Sequence, residues 1–172
     1  TLFLDEIGDM SLNLQAKLLR AIEKKVIKRL GGIVDIPINA RIISATNKNI
    51  EELIEEGLFR RDLYHRLNVV TIELPPLKER SEDIITLADH FIEEFNFSFN
   101  KSVKKISREL RYFFLGYPWP GNVRELKNVI ERAVLLSENG ELALSDFSNL
   151  INSVPAVMQL NSFDGEVPEN VI

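Results

Sequence analysis

An α/β layer followed by a small helical subdomain is the fold this sequence predicts, and two observations carry the prediction. Before Pro75, short apolar runs with polar ends alternate with amphipathic stretches, as strands and helices do in one layer. After Pro75-Pro76 the strand pattern stops, and only apolar stripes at helical spacing follow. Apolar residues make up 45% of the 172, so the chain can build a sizeable core.

Taken in order, Thr1 to Leu4 read as a short buried strand ending at Asp5-Glu6. Ser11 is placed to cap a helix through about Lys25, with Gln15, Leu18, Leu19, Ile22 and Val26 at helical spacing. "KRLGGIVDIPI" holds two extended pieces around Gly31-Gly32, which predicts a hairpin or projecting loop. "NARIISATN" is a second buried strand with a polar end, and Asn49 with Glu52 forms a capping pattern for a short helix ending near Gly57. "LFRRDLYHRL" is another short helix and "VVTIEL" a third strand. Helices are expected near 81–97, 107–115 and 122–137, with a further short one from Ser145. This organisation predicts an α/β part over 1–76, a helical part over 77–152, and a linker or frayed tail over 153–172.

Composition excludes several classes. With 21 Lys+Arg against 26 Asp+Glu, the net charge of −5 argues against a general nucleic-acid surface. There is no cysteine, and His65 and His90 make no ligand pattern, so thiolate zinc sites are ruled out. No apolar run is long enough to span a bilayer, which makes a cytoplasmic protein without membrane contact the expectation.

Four places draw functional attention. Ligands bind at the carboxyl ends of strands in parallel α/β sheets, where Asp5 and Glu6 fall. Two adjacent carboxylates there can divide labour, one holding Mg²⁺ through water and one orienting a nucleophilic water; the bland alternative is a solvated strand-to-turn junction. Asn47 ends the second strand, and because Asn49 is better placed to cap, Asn47 is left for a phosphate oxygen or an attacking water. Arg60, Arg61 and Arg66 crowd one short helix. A surface ion pair between Asp62 and Arg66 would account for one of them, and an anion held by another subunit would account for more. In "YPWPGNVREL", Asn122 is expected to cap a helix with Glu125 completing the box, which puts Arg124 in the first turn, where the macrodipole disfavours a cation unless an anion sits nearby. Trp119 reads as packing at this corner.

"TLFLDEIGDM", "RIISATN", "LFRRDLYHRL", "ELPPLKERSEDI" and "YPWPGNVRELKNVIERAV", in this order, resemble the central ATPase domain of sigma-54-dependent transcriptional activators, bacterial enhancer-binding proteins of the AAA+ superfamily. The resemblance covers roughly residues 1–150. It implies an α/β fold with a partial AAA+ P-loop NTPase-type parallel sheet and an all-helical lid. It also implies ATP and Mg²⁺ as cofactors, a homo-oligomeric ring, and the sigma-54 RNA polymerase holoenzyme as partner, remodelled at the expense of ATP. Residue by residue, Asp5 matches the Walker B aspartate that serves Mg²⁺ and Glu6 the glutamate that polarises water. Asn47 matches sensor I, Arg60 and Arg66 the arginines from which in-trans fingers are drawn (Arg66 the stronger candidate), and Arg124 sensor II. Arg61 has no assigned role. The Gly31-Gly32 segment matches a loop that moves with nucleotide state near the ring pore.

The sequence departs from the family pattern too. It has no G-x-x-x-x-G-K-[ST] phosphate loop, no GAFTGA-like loop and no helix-turn-helix. By resemblance, Thr1–Leu4, Arg41–Ala45 and Val69–Leu74 are the third, fourth and fifth strands of a sheet ordered 5-1-4-3-2, with strands 1 and 2 missing. The expectation is a piece of a longer ATPase that begins at Walker B, does not turn over ATP by itself, and makes no direct contact with DNA. Two rivals stand beside it: another AAA+ remodeller, such as a helicase loader, and a non-catalytic interaction or oligomerisation domain.

Overall fold

The computed structural model describes residues 1–137 and 140–151; the tail expected over 153–172 lies outside them. The chain divides into two compact units, Thr1–Glu73 and a second beginning at Leu74.

The first unit runs β1 (Leu2–Leu4), a 3₁₀ turn (Ile7–Asp9), α1 (Leu12–Lys24), β2 (Val26–Lys28), β3 (Asp35–Pro37), β4 (Ile42–Ser44), α2 (Ile50–Glu55) and α3 (Arg61–Leu67). β1 and β4 pair in parallel, Leu2 opposite Ile42 and Leu4 opposite Ser44, so both strands end at the same edge. Ser11 stands at the start of α1 as expected, though its hydroxyl makes no capping bond. α1 packs on α3 through a small core of Ile7, Leu19, Phe59 and Leu63. β2 and β3 form the expected antiparallel hairpin, its tip turned by Gly31 at φ 73° and its arms tied by a Lys28–Asp35 ion pair at 3.4 Å. Only glycine adopts that φ without steric cost.

Two expectations fail here. Neither strand is buried: Leu2, Phe3 and Ile43 are exposed, because a two-stranded sheet covers little of its own apolar surface. Residues 69–74 are not a strand. Val69, Val70, Ile72 and Leu74 are each at least 80% exposed, and no strand among the described residues pairs with them. β propensity alone does not make a strand, since the ladder needs a partner for each N–H and C=O.

The second unit opens with a 3₁₀ turn (Leu77–Glu79) and continues through α4 (Ser81–Phe99), β5 (Lys105–Ile106), α5 (Arg108–Gly116), α6 (Asn122–Leu136), β6 (Glu141–Leu142), another 3₁₀ turn (Leu144–Phe147) and α7 (Ser148–Ile151). α4 buries Ile84, Ala88, Phe91, Ile92 and Phe95, one helical stripe, against Leu126, Ile130, Ala133 and Val134 of α6. Ser107 caps α5, accepting from Leu110 N–H at 3.2 Å. The unit is not all-helical, because β5 and β6 make a two-residue parallel ladder. Two connecting segments run side by side there, and pairing satisfies backbone groups next to the buried Leu142.

Candidate functional site

Asp5 and Glu6 follow β1 directly, and Glu6 sits in the left-handed region at φ 51°, ψ 43°. A glutamate held there costs of order 1–3 kcal/mol and persists only where neighbours over-determine it. The neighbours are identifiable. Glu6 N–H donates to Asp5 Oδ1 at 3.0 Å, and Ile7 N–H donates to the Ala45 carbonyl at 3.1 Å, just past β4. Lys48 forms an ion pair with Asp9. Gly8 lies so close to the second turn that a Cβ would meet Thr46 Oγ1 at 2.8 Å. The turn carrying Asp5-Glu6 is thereby fastened to the turn carrying Asn47.

Asp5, Glu6 and Asn47 are exposed, and Asn47 makes no side-chain hydrogen bond among the described residues. The capping duty falls on Asn49 as expected: its Oδ1 accepts from the N–H groups of Glu51 at 3.1 Å and Glu52 at 3.5 Å. The Glu52 carboxylate bonds Asn49 Nδ2 at 2.9 Å instead of closing the box on the backbone.

The arginines are arranged differently from expectation. Arg60 precedes α3 as its N-cap and grips Asp62 with both ends of its fork, Nε to Oδ1 at 3.0 Å and a terminal nitrogen to Oδ2 at 2.6 Å. Asp62 therefore does not pair with Arg66. The Asp62 carboxylate has both oxygens occupied by the Arg60 fork, a bidentate match of guanidinium to carboxylate. Hydrogen bonding to Arg60 holds the Asp62 carboxyl below the ordinary aspartate range and raises Arg60 in turn. Arg61 and Arg66 are exposed and make no ion pair among the described residues. Arg60, Arg61, Asp62 and His65 rim a shallow open depression.

Sequence reasoning placed Gln15 in an apolar stripe and missed what it does. Its side chain is wholly buried. Nε2 donates to the carbonyls of Met10 at 2.7 Å and Leu58 at 3.0 Å, and Oε1 accepts from Arg60 N–H at 2.8 Å. The available signal was an amide among leucines, since a buried polar group must find partners.

In the second unit, Arg124 lies in the first turn of α6, exposed and without an ion pair among the described residues. The expected cap is displaced by one residue: Gly121 is the N-cap, and Asn122 enters the helix at φ 52°. Asn122 Oδ1 accepts from Leu77 N–H at 2.8 Å, fastening the segment before α4 to α6. Glu125 does reach back, but to Gly121 N–H at 2.8 Å, and its carboxylate also takes the Tyr117 hydroxyl at 2.9 Å. Trp119 packs as expected, with 1% exposure and Nε1 donating to the Phe114 carbonyl at 2.8 Å.

These residues do not make a complete nucleotide or metal site. Among the described residues no three His, Asp or Glu side chains gather to hold a metal. The sequence supplies neither a glycine-rich run of backbone amides nor the lysine that would cradle a triphosphate. Asp5 and Glu6 suit the hydrated face of Mg²⁺, which usually takes one or two carboxylates and fills its sphere with water and phosphate.

The described residues thus present carboxylates and an asparagine at one edge of two parallel strands, with a helical unit following. The comparisons supply the class. Residues 1–73 match the profile of the Sigma-54 interaction domain, and residues 78–160 that of the AAA+ ATPase lid domain. "Nitrogen fixation protein VnfA" of Azotobacter vinelandii is 53% identical over 140 residues, covering 81% of this chain and 27% of the relative. "Sigma54-dependent transcriptional regulator SfnR" of Pseudomonas fluorescens (strain Pf0-1) is 46% identical over 152 residues, covering 87% and 41%. The crystal structure of NtrX from Brucella abortus in complex with ATP superposes with a TM-score of 0.79 at 32% identity, over 98% of this chain and 37% of that one. The chain belongs to the family of AAA+ domains of sigma-54-dependent transcriptional activators. It spans less than half the length of these relatives.

Proposed function

We propose that this chain is part of the ATPase module of a sigma-54-dependent transcriptional regulator, in which ATP hydrolysis drives remodelling of the RNA polymerase holoenzyme within a homo-oligomeric ring. The observation that carries the reading is the fastening of the Asp5-Glu6 turn to the Thr46-Asn47 turn across two parallel strands. In the whole protein, Asp5 would hold hydrated Mg²⁺ and Glu6, as a free carboxylate, would orient the attacking water. Asn47 would contact that water or a phosphate oxygen. Arg66, and Arg60 once released from Asp62, would reach a neighbouring subunit's nucleotide. Arg124 would sense the nucleotide from the lid, where an anion reverses the unfavourable sign of a first-turn cation.

The test is ATP hydrolysis by the full-length protein. Glu6→Gln is expected to abolish turnover while leaving nucleotide binding, measured by equilibrium titration, within about threefold of wild type. Undiminished hydrolysis by Glu6→Gln would remove the proposal. The 172-residue polypeptide by itself, lacking a phosphate cradle, is expected to show no turnover.

A further inference from the structure

We infer that Gln15 is a positioning residue that sets the arginine-bearing helix α3 relative to the Asp5-Glu6 turn. The inference rests on the ATPase reading above, and it assigns a role to a wholly buried side chain.

The geometry is that of a three-way junction. One carboxamide joins Met10, which closes the 3₁₀ turn after Glu6, to Leu58 and Arg60, which lead into α3. Only one orientation of the amide works: Nε2 has two donors for two carbonyls, and Oε1 accepts from the Arg60 N–H. Arg60 as N-cap offers no side-chain cap to α3, because a guanidinium carries donors only and cannot accept from the first-turn N–H groups. The Arg60 N–H at the start of α3 is held from outside the helix, by Gln15, while Asp62 Oδ1 accepts from Leu63 N–H within the first turn. Leu63 and Phe59 pack beside this junction in the same small core, so a shift at the junction is passed to α3 as a whole. No other polar side chain among the described residues is both buried and shared between these two segments.

The role follows from what the junction leaves adjustable. Asp5, Glu6 and Asn47 are already fastened to one another through β1, β4 and Gly8. The arginines are not part of that clamp, and Gln15 is the polar tie from the clamp's side of the unit to theirs. Removing it should displace Arg60 and Arg66 together while sparing Glu6.

The experiment uses the full-length protein and subunit mixing. Gln15→Met keeps chain length and fills the space without polar atoms. Alone it is expected to lower kcat for ATP hydrolysis at least about tenfold, with KM for ATP within about threefold, since arginines that act in the transition state leave ground-state binding largely unchanged. Mixed with Glu6→Gln subunits, which have dead sites but well-placed arginines, it should regain a substantial part of that loss, because an intact Glu6 then meets a neighbour's undisplaced arginines. A residue needed merely for folding would not be rescued this way. Absence of rescue, with both variants assembling, overturns the inference, as does wild-type kcat for Gln15→Met. Should Gln15→Met fail to assemble, Gln15→Leu, which also removes the bonds to Met10, Leu58 and Arg60, enters the same mixing experiment with the same two deciding outcomes. Turnover that survives in Glu6→Gln alone would defeat the ATPase reading instead, so the two failures are distinguishable.

Discussion

Adding one methyl group at Gly8 should separate the two halves of the candidate site. A Cβ there would lie 2.8 Å from Thr46 Oγ1, 3.2 Å from Lys48 Cβ and 3.3 Å from Lys48 Cδ. Ordinary contact begins at about 3.4 Å, so relief from Thr46 alone requires a shift of about 0.6 Å. Lys48 can bend its chain. Thr46 cannot easily yield, because its hydroxyl oxygen accepts from Lys48 N–H at 3.1 Å within the turn. Overpacking typically costs about 1–3 kcal/mol, and since one side of this turn is open to water the lower end, about 1 kcal/mol, is the expected loss in a urea melt. The catalytic effect should be larger in proportion. A misplacement of about 1 Å can cost two orders of magnitude in rate, so Gly8→Ala in the full-length protein is expected to lower kcat roughly tenfold with little change in KM. Thr46→Ala removes the obstructing oxygen, so the double variant should recover most of the lost kcat. Wild-type turnover in Gly8→Ala, or a double variant no better than the single, would refute the claim that this contact spaces Glu6 from Asn47.

Other expectations follow from the same geometry. Asp62 should titrate below the ordinary aspartate range by NMR and return towards it in Arg60→Ala; with the folded pKa lowered, the pair's contribution is present above the ordinary aspartate pKa and lost as pH falls through the lowered one. In the full-length protein, Arg66→Ala should reduce kcat by about 10³ while nucleotide still binds, and mixing with a phosphate-loop variant should restore some turnover; rings that form without complementation would speak against action across subunits. Arg124→Ala should leave the thermal melt of the nucleotide-free protein unchanged or slightly raised, because it removes an exposed first-turn cation; a large drop would reveal a structural role. Hydrogen exchange on the 172-residue polypeptide should concentrate protection in the second unit, and strong protection at residues 69–74 would contradict the exposed, unpaired state described above.

What the sequence revealed was mostly local. Asn49 was readable as a cap because its partners are two and three residues away. The α4 stripe was readable because a helix repeats its buried face within its own length. Asp5, Glu6 and Asn47 could be placed at strand ends by the same logic, since polar residues closing an apolar run need no distant information. The errors fall where long-range contacts decide. Residues 69–74 have the composition of a strand, but a strand is defined by a neighbour that composition does not supply. Asn122 has the right spacing for a cap, yet the positive φ at Trp119 and Asn122 moves the helix start, and Asn122 turns to Leu77, 45 residues away. Gln15 carried the faintest signal, because its partners Leu58 and Arg60 are 43 and 45 residues distant.

Stability and chemistry are kept apart in this molecule. Glu6 occupies a backbone region that costs of order 1–3 kcal/mol, and Arg124 stands where a helix dipole repels it. Neither recovers the cost through its own side chain, for neither makes an ion pair among the described residues. Compensation comes from adjacent groups: Ile7 N–H on Ala45 and the close approach of Gly8 hold the first turn, and Glu125 with Gly121 and Tyr117 holds the start of α6. Such residues can be replaced with little effect on folding and much on turnover, whereas Gly8, Gln15 and Glu125 should affect both. On the proposed reading, Glu6, Asn47, Arg66 and Arg124 are exposed and unpaired among the described residues, as groups meant for a ligand would be, while Arg60 must first leave Asp62.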